Sequence, residues 1–307
     1  MKKTILFLLI LFLTISFSTA QEHKKYYSNG NIRDVGEYDS GKKTGKWMFY
    51  HENGKLSDIG EFELGARIGE WKSYYENGEL RAIGEYVSGK RVGEWKTYHD
   101  NGQLSVIGEY VSWKKTGEWK SYHENGKLSI IGEFDSGKET GEWKSYHENG
   151  QLSIIGEFDS GKQVGEWKSY HDNGQLSTVA EYELDLKTGK WKAYYANGQL
   201  KSTGKFFKNK LTEEWKIYHS NGNLKEIGKY DNHKPTGEWK IYHSNNSIYQ
   251  IRLWINGKLM NINSCYDNKG NALEKGSLIN GNGTVNYYDE NGNLKKTKNY
   301  IDGVIQK

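Results

Sequence analysis

The chain has 307 residues, with 43 Lys and Arg against 39 Asp and Glu, 37 Gly, 23 Tyr, 11 Trp and a single Pro. Hydrophobic residues make up only 35% and aromatics 14%, which argues against a large aliphatic core, a collagen-like rod and a helical bundle. What remains is turn-rich β structure packed by aromatic rings, without disulfides, because Cys265 stands alone and reads as a small half-buried hydrophobe rather than a reactive thiol.

The first elements are an address. Lys2 and Lys3 precede an apolar run from Ile5 to Leu13, and Ser18-Thr19-Ala20 stands before Gln21, the pattern of a Sec signal peptide over residues 1–20. The run is short for a membrane span, and no Cys follows it to carry a lipid. The expectation is a mature chain from about Gln21 that is secreted or periplasmic, with a retained anchor as the alternative.

From there the chain repeats. Asn-Gly recurs at Asn29, Asn53, Asn77, Asn101, Asn125, Asn149, Asn173, Asn197 and Asn221, every 24 residues, and Trp keeps the same phase at Trp47, Trp71, Trp95, Trp119, Trp143, Trp167, Trp191, Trp215 and Trp239. Asn-Gly between strand-like runs is the strongest short hairpin signal and predicts a two-residue type I′ turn. The Ser-Gly-Lys stretch predicts the opposite turn, a four-residue loop from Ser88 to Arg91. An all-β fold follows: an elongated, single-layer antiparallel meander of tandem hairpins, about twenty strands at ~4.7 Å each. Residues 21–246 form the tandem repeats, and 247–307 read as degenerate repeats and a cap, with Tyr288 to Leu294 echoing the unit and Val285 in the place of Trp.

The unit resembles the MORN-variant repeat, whose pattern is met at Gly93, Trp95, Tyr98, Asn101, Gly102, Leu104 and Tyr110. The resemblance covers about residues 26 to 246, with weaker copies beyond. It departs at Trp113 for the loop Gly, Ala180 for the strand Gly and Glu213 for the Gly before Trp215. It implies an interaction module: related arrays are associated with scaffolding and phospholipid surfaces, and some bacterial variant-repeat proteins are named as antitoxins.

A two-residue turn at Asn77-Gly78 sets Tyr75 opposite Leu80, Trp71 opposite Gly84 and Gly69 opposite Tyr86, all on one face. The four-residue loop then sets Gly84 beside Trp95 and Tyr86 beside Gly93, so each large ring has glycine on both sides. The nine Trp of the column therefore read as the structural aromatic core rather than a ligand platform. The second face carries Glu70, Lys72, Tyr74, Arg81, Ile83 and Glu85; its isoleucine column faces solvent unless a bulge near Gly84 turns it inward.

The same register aligns Glu61, Glu70, Glu85, Glu94, Glu109, Glu118, Glu133, Glu142, Glu157, Glu166 and Glu181 in one unbroken row. Like charges so placed need compensation: from lysines such as Lys72 two residues along, from protonation, or from Ca²⁺ as the one possible cofactor, held by Glu70 to Glu157. The periodic His51, His99, His123, His147, His171, His219 and His243 stand about 10 Å apart, too far to converge on zinc, and read as an aromatic at a hairpin end. No unrepeated nucleophile, base and stabiliser gather, so the chain reads as a non-enzyme without catalytic residues.

Residues 21 to 186 hold 21 Lys and Arg against 29 Asp and Glu, and residues 187 to 307 hold 20 against 10. This asymmetry is either solvated surface or partner-facing. The expected function is an exported repeat scaffold for protein–protein interaction at the cell envelope, with Trp113 as an anchor at a loop tip. Alternatives are a toxin-neutralising immunity protein, a binder of anionic membrane through the basic C-terminal part, and a glycan binder. Nucleic acid is disfavoured by the export signal and the acidic front.

Overall fold

The computed structural model describes residues 21–306, and the expected signal segment lies outside them. It is all β, with no helix among the described residues. The first strands are β1 (Gln21–Tyr26), β2 (Ile32–Asp39), β3 (Lys42–Tyr50), β4 (Leu56–Glu63), β5 (Ala66–Tyr74), β6 (Leu80–Val87), β7 (Lys90–Tyr98) and β8 (Leu104–Val111). They are followed by β9 (Lys114–Tyr122), β10 (Leu128–Asp135), β11 (Lys138–Tyr146), β12 (Leu152–Asp159), β13 (Lys162–Tyr170), β14 (Leu176–Glu183) and β15 (Leu186–Tyr194). The array continues through β16 (Leu200–Phe207), β17 (Lys210–Tyr218), β18 (Leu224–Asp231), β19 (Lys234–Tyr242), β20 (Ile248–Ile255) and β21 (Lys258–Cys265). A separate three-stranded sheet holds β22 (Gly283–Tyr288), β23 (Leu294–Ile301) and β24 (Val304–Ile305).

Strands β1 to β21 belong to one 21-stranded antiparallel sheet that is not closed into a barrel. Two compact units divide within β8: one runs up to Leu104 and takes in Tyr110–Trp113, the other holds Ser105–Glu109 and everything from Lys114 on. In the first unit each strand from β1 to β7 pairs with the next. In the second the same meander runs from β9 to β21.

The two turns are exchanged relative to the sequence expectation. Ser88 and Gly89 have φ of 48° and 78° and Val87 pairs with Lys90, so Ser-Gly forms the two-residue loop. Positive φ at both central residues is what a type I′ turn demands. At Asn77-Gly78 only Gly78 is left-handed, with φ of 94°. Its N–H donates to the Tyr75 carbonyl at 2.9 Å, and the Tyr75 N–H donates to Glu79 at 2.9 Å, a three-residue loop closed by a glycine bulge.

The asparagine is needed for its side chain. Asn53 Nδ2 donates to the Glu76 carbonyl of the next hairpin at 2.9 Å, while its Oδ1 accepts from the Lys55 N–H at 2.9 Å. Copies such as Asn77, Asn149 and Asn221 do the same, so these loops are fastened internally and stapled to the next loop.

The register follows from these loops. Gly69 faces Tyr86 and Trp71 faces Gly84, but a bulge between Ser73 and Tyr74 makes Tyr74, not Tyr75, the partner of Leu80. Across the I′ turn Ile83 pairs with Lys96 and Glu85 with Val92, so Gly84 alone spans Gly93, Glu94 and Trp95. Tyr86 consequently meets Arg91 rather than Gly93. This wide bulge is turned by Gly93 at φ of 63°, a left-handed conformation that costs a side-chain-bearing residue roughly 1–2 kcal/mol.

The exception, Glu213, sits at φ of 59° in the same place. Its gain is a Lys205 ion pair at 2.7 Å with both side chains about half exposed, worth at most about 1 kcal/mol. Glu213→Gly is expected to stabilise the array by up to about 1 kcal/mol. A chemical denaturation series would show it, and a loss of stability would place the ion pair above the strain.

At the C-terminal end, Leu259, Ile262, Leu278, Val285 and Tyr300 form a buried cluster joined by Trp254 and Tyr287. The Leu259 N–H donates to Gly303 at 3.1 Å and Gly281 donates to Met260 at 2.9 Å. These bonds cover backbone groups that an open sheet edge would leave unpaired.

Candidate functional site

Trp47, Trp71, Trp95, Trp119, Trp215 and Trp239 are buried, and Trp143, Trp167 and Trp191 are half-buried. Each ring but one lies over the glycine of the strand before it; a Cβ on Gly60 would stand 2.3 Å from Trp71. The wide bulge frees carbonyls, and most of the indoles take them, Trp167 Nε1 being buried without a partner among the described residues: Trp71 Nε1 donates to Glu61 at 3.2 Å and Trp95 Nε1 to Glu85 at 3.2 Å. A carbonyl freed from the ladder and a buried indole N–H thereby satisfy each other. Cations cover the outer side of the first rings, with Lys43, Arg67, Arg91 and Lys115 at 4.1, 4.2, 4.2 and 4.3 Å from the ring centres.

On the second face the carboxylate row is broken into pairs. Glu70 faces Glu85, Glu118 faces Glu133, Glu142 faces Glu157 and Glu166 faces Glu181. Across each wide bulge the row stops: Glu85 meets Val92 instead of Glu94, and Glu133 meets Thr140 instead of Glu142. Glu109 lies exposed on β8. Lysine answers the charge on the same strand, Lys72 to Glu70 at 2.8 Å and Lys96 to Glu94 at 2.6 Å, and the Glu70 hydrogen bond raises the Lys72 ammonium above its usual value. No group of three or more His, Cys, Asp or Glu is placed to hold a metal ion among the described residues. Ile83, paired with both Lys72 and Lys96, stays half-buried on this face.

The histidine column is tied into the backbone. His51 Nε2 bonds the Tyr74 carbonyl at 2.9 Å and His123 the Tyr146 carbonyl at 2.9 Å, and Tyr75 hydroxyl donates to Tyr98 at 2.7 Å in the same position. One column thus accepts His or Tyr because either ring reaches the next hairpin.

At the I′ turns the side chains project outward. Trp113 holds φ of 75° and is 49% exposed, its ring edge-on to Tyr86 at 5.7 Å and 5.4 Å from the Arg91 guanidinium. Leu64, Val87 and Val111 are exposed at or beside the turns of the same unit. In the second unit Leu184, Leu186 and Phe207 are exposed, with Lys208 Nζ 5.6 Å from the Phe207 ring. These turn residues were missed in the sequence except for Trp113, since their signal is an apolar side chain beside a type I′ turn that had not been placed there.

A stapled array of tandem hairpins with its tryptophans laid over the strands before them defines a repeat scaffold of a kind suited to protein or membrane binding. The chain belongs to the MORN repeat variant family, which matches residues 43–63, 67–88, 91–112, 115–136, 139–160, 163–183, 187–209, 214–232, 235–256 and 282–302. No curated protein matches it. Among solved structures it is similar to a TcdB2-TccC3 chain at 11% identity and TM-score 0.19, over 90% of this chain and 17% of that one. TcdB2-TccC3 without its hypervariable C-terminal region gives 12% identity and TM-score 0.20, over 92% and 16%. The Photorhabdus luminescens Tc holotoxin pore gives 12% and 0.19, over 89% and 18%. The chain spans about a sixth of the length of these structures, and no function is carried over from them.

Proposed function

We propose that this chain is an exported, non-catalytic scaffold that binds a protein partner at the cell envelope along the I′-turn end of its first unit. The observation that carries the reading is Trp113, a large ring held half-exposed at a left-handed φ that glycine would fill without strain. Leu64, Val87 and Val111 extend the apolar line around it, and exposed Trp is the residue most typical of binding hot spots. Capture of a partner by the chain is expected to fall at least about tenfold on Trp113→Gly, with melting unchanged or raised. Equal capture by both forms would end the assignment. A toxin as the partner would appear as neutralisation of that toxin by the purified chain.

A second reading has its own observation. Phe207 is 62% exposed beside Lys208, with Leu184 and Leu186 exposed at the turn before β15 and at its start, and residues 187 to 307 hold 20 Lys and Arg against 10 Asp and Glu. Apolar tips among lysines are the chemistry of an interfacial contact with anionic lipid. Vesicles rich in phosphatidylglycerol are expected to sediment the chain, less so after Phe207→Ser and at high salt. Sedimentation indifferent to anionic lipid would remove this reading.

A further inference from the structure

The first repeats depart from the rest on the aromatic face. Two residues before the spacing glycine stand Asp34 and Asp58, where later copies carry Ala82, Val106 and Ile130. Four residues before the tryptophan stand Lys43 and Arg67, a cation that the next two copies keep as Arg91 and Lys115 and that further copies replace with Glu139 and Gln163. Strand β1 adds His23 and Lys25. These side chains surround a cavity of about 440 Å³ that also has Phe49 and Tyr50 in its wall, within the ~300–1,000 Å³ typical of small-molecule sites.

The cavity's carboxylates already have partners. Asp34, 7% exposed, accepts from His23 Nε2 at 2.6 Å and from Arg33 Nε at 2.7 Å. Burial pushes its carboxyl up, but these bonds outweigh burial and hold it below the usual range. Asp58 accepts from the Ser57 hydroxyl at 3.0 Å and lies 4.0 Å from Arg81. Lys25, Lys43 and Arg67 form no ion pair among the described residues, although Arg67 donates to the Tyr86 hydroxyl at 3.3 Å.

Lys43 is the most constrained of them. Its ammonium is half-buried, 4.1 Å from the Trp47 ring centre and 4.6 Å from Phe49. Burial lowers its pKa, Asp34 opposes that, and Arg67, Arg33 and Lys25 lower it further. A partly desolvated cation among like charges carries a cost that a bound oxyanion would relieve, while Phe49 and Tyr50 offer ring surface to the rest of a ligand.

We propose that this cavity binds a small soluble molecule carrying one oxyanion group, phosphate or carboxylate, on a body of about monosaccharide size, with Lys25, Lys43 and Arg67 holding the anion. The site lies where Asp34, Asp58 and the β1 side chains interrupt the repeat pattern.

Calorimetric titration of the chain at low salt with glucose 6-phosphate, with glucuronate and with glucose tests it. Saturable binding of at least one anion is expected, with none for glucose, and the tighter anion identifies the group. Lys25→Gln, which removes a charge that touches no ring, and Lys43→Gln should each weaken binding about tenfold, with folding checked by melting. Lys90→Gln, at a turn outside the cavity, should leave it unchanged. Heats of dilution alone for both anions, or equal affinity in the Lys25 and Lys43 variants, would overturn the proposal. Sedimentation with phosphatidylglycerol vesicles that Lys43→Gln abolishes would put a lipid headgroup in the cavity and overturn the soluble-ligand assignment.

Discussion

Trp71→Ala is expected to cost about 3–5 kcal/mol, the range for removing a large buried ring. Trp71 is 3% exposed, edge-on to Phe62 at 5.0 Å and to Tyr86 at 6.1 Å, and covered by Arg67 at 4.2 Å. The loss also orphans the Glu61 carbonyl that accepts its indole N–H, a further penalty where that carbonyl stays dry. His51→Ala in the same unit removes one bond to the Tyr74 carbonyl from a half-exposed ring and should cost about 1 kcal/mol. Urea denaturation distinguishes them, and hydrogen exchange should confine the Trp71 loss to its own and adjoining hairpins, because repeats contact only their neighbours. Equal costs for the two changes would mean that the rings are not what holds the sheet.

The repeat architecture was legible because it rests on a period, and a 24-residue phase kept by both Asn-Gly and Trp leaves one way to alternate strand and turn. The turn types were not. Asn-Gly is the usual mark of a type I′ turn, yet here the Asn side chain staples successive loops while the I′ geometry falls on Ser88-Gly89, and even on Leu184-Asp185 and Lys208-Asn209. Residue types that rarely adopt positive φ send no local signal, and only the strand pairing forces them there. The carboxylate row failed for the same reason: a wide bulge inserts Gly93 and Glu94 against Gly84 and interrupts every second contact.

Site residues were harder to see than structural ones. Trp113 stood out because it breaks the period, whereas Leu64, Val87 and Phe207 are ordinary apolar residues until the turn beside each is placed. The cavity draws on His23, Lys25, Asp34, Lys43 and Arg67 from four strands, and its only trace in the sequence is that Asp34 and Asp58 head a column that is otherwise small or apolar in the next repeats. The overall acidity of residues 21 to 186 concealed a local excess of cations, since that charge lies in pairs on the opposite face.

Glycine placement supplies the second large effect, and here the array contains its own control. A methyl on Gly84 would stand 2.2 Å from Trp95 Cδ2 and 2.3 Å from Cε2, so the indole would have to leave the strand it covers. One repeat has made this change: Ala180 occupies the column, and Trp191 is half-buried, as Trp143 and Trp167 are over glycine. Its ring instead leans on Trp215, 5.3 Å away at 35°. Gly84→Ala is therefore expected to cost about 1–3 kcal/mol through overpacking, with further loss where the ring's burial and N–H bond are given up. Gly93→Ala offers the contrast, because nothing lies within 4 Å of its added Cβ and only the φ of 63° resists, at roughly 1–2 kcal/mol. Ala180→Gly should run the other way and let Trp191 settle on its strand, since the ring burial gained exceeds the ~0.5–1 kcal/mol that glycine costs in a strand. If Gly84→Ala proves no worse than Gly93→Ala, the rings are held by their neighbours rather than by the bare backbone beneath them.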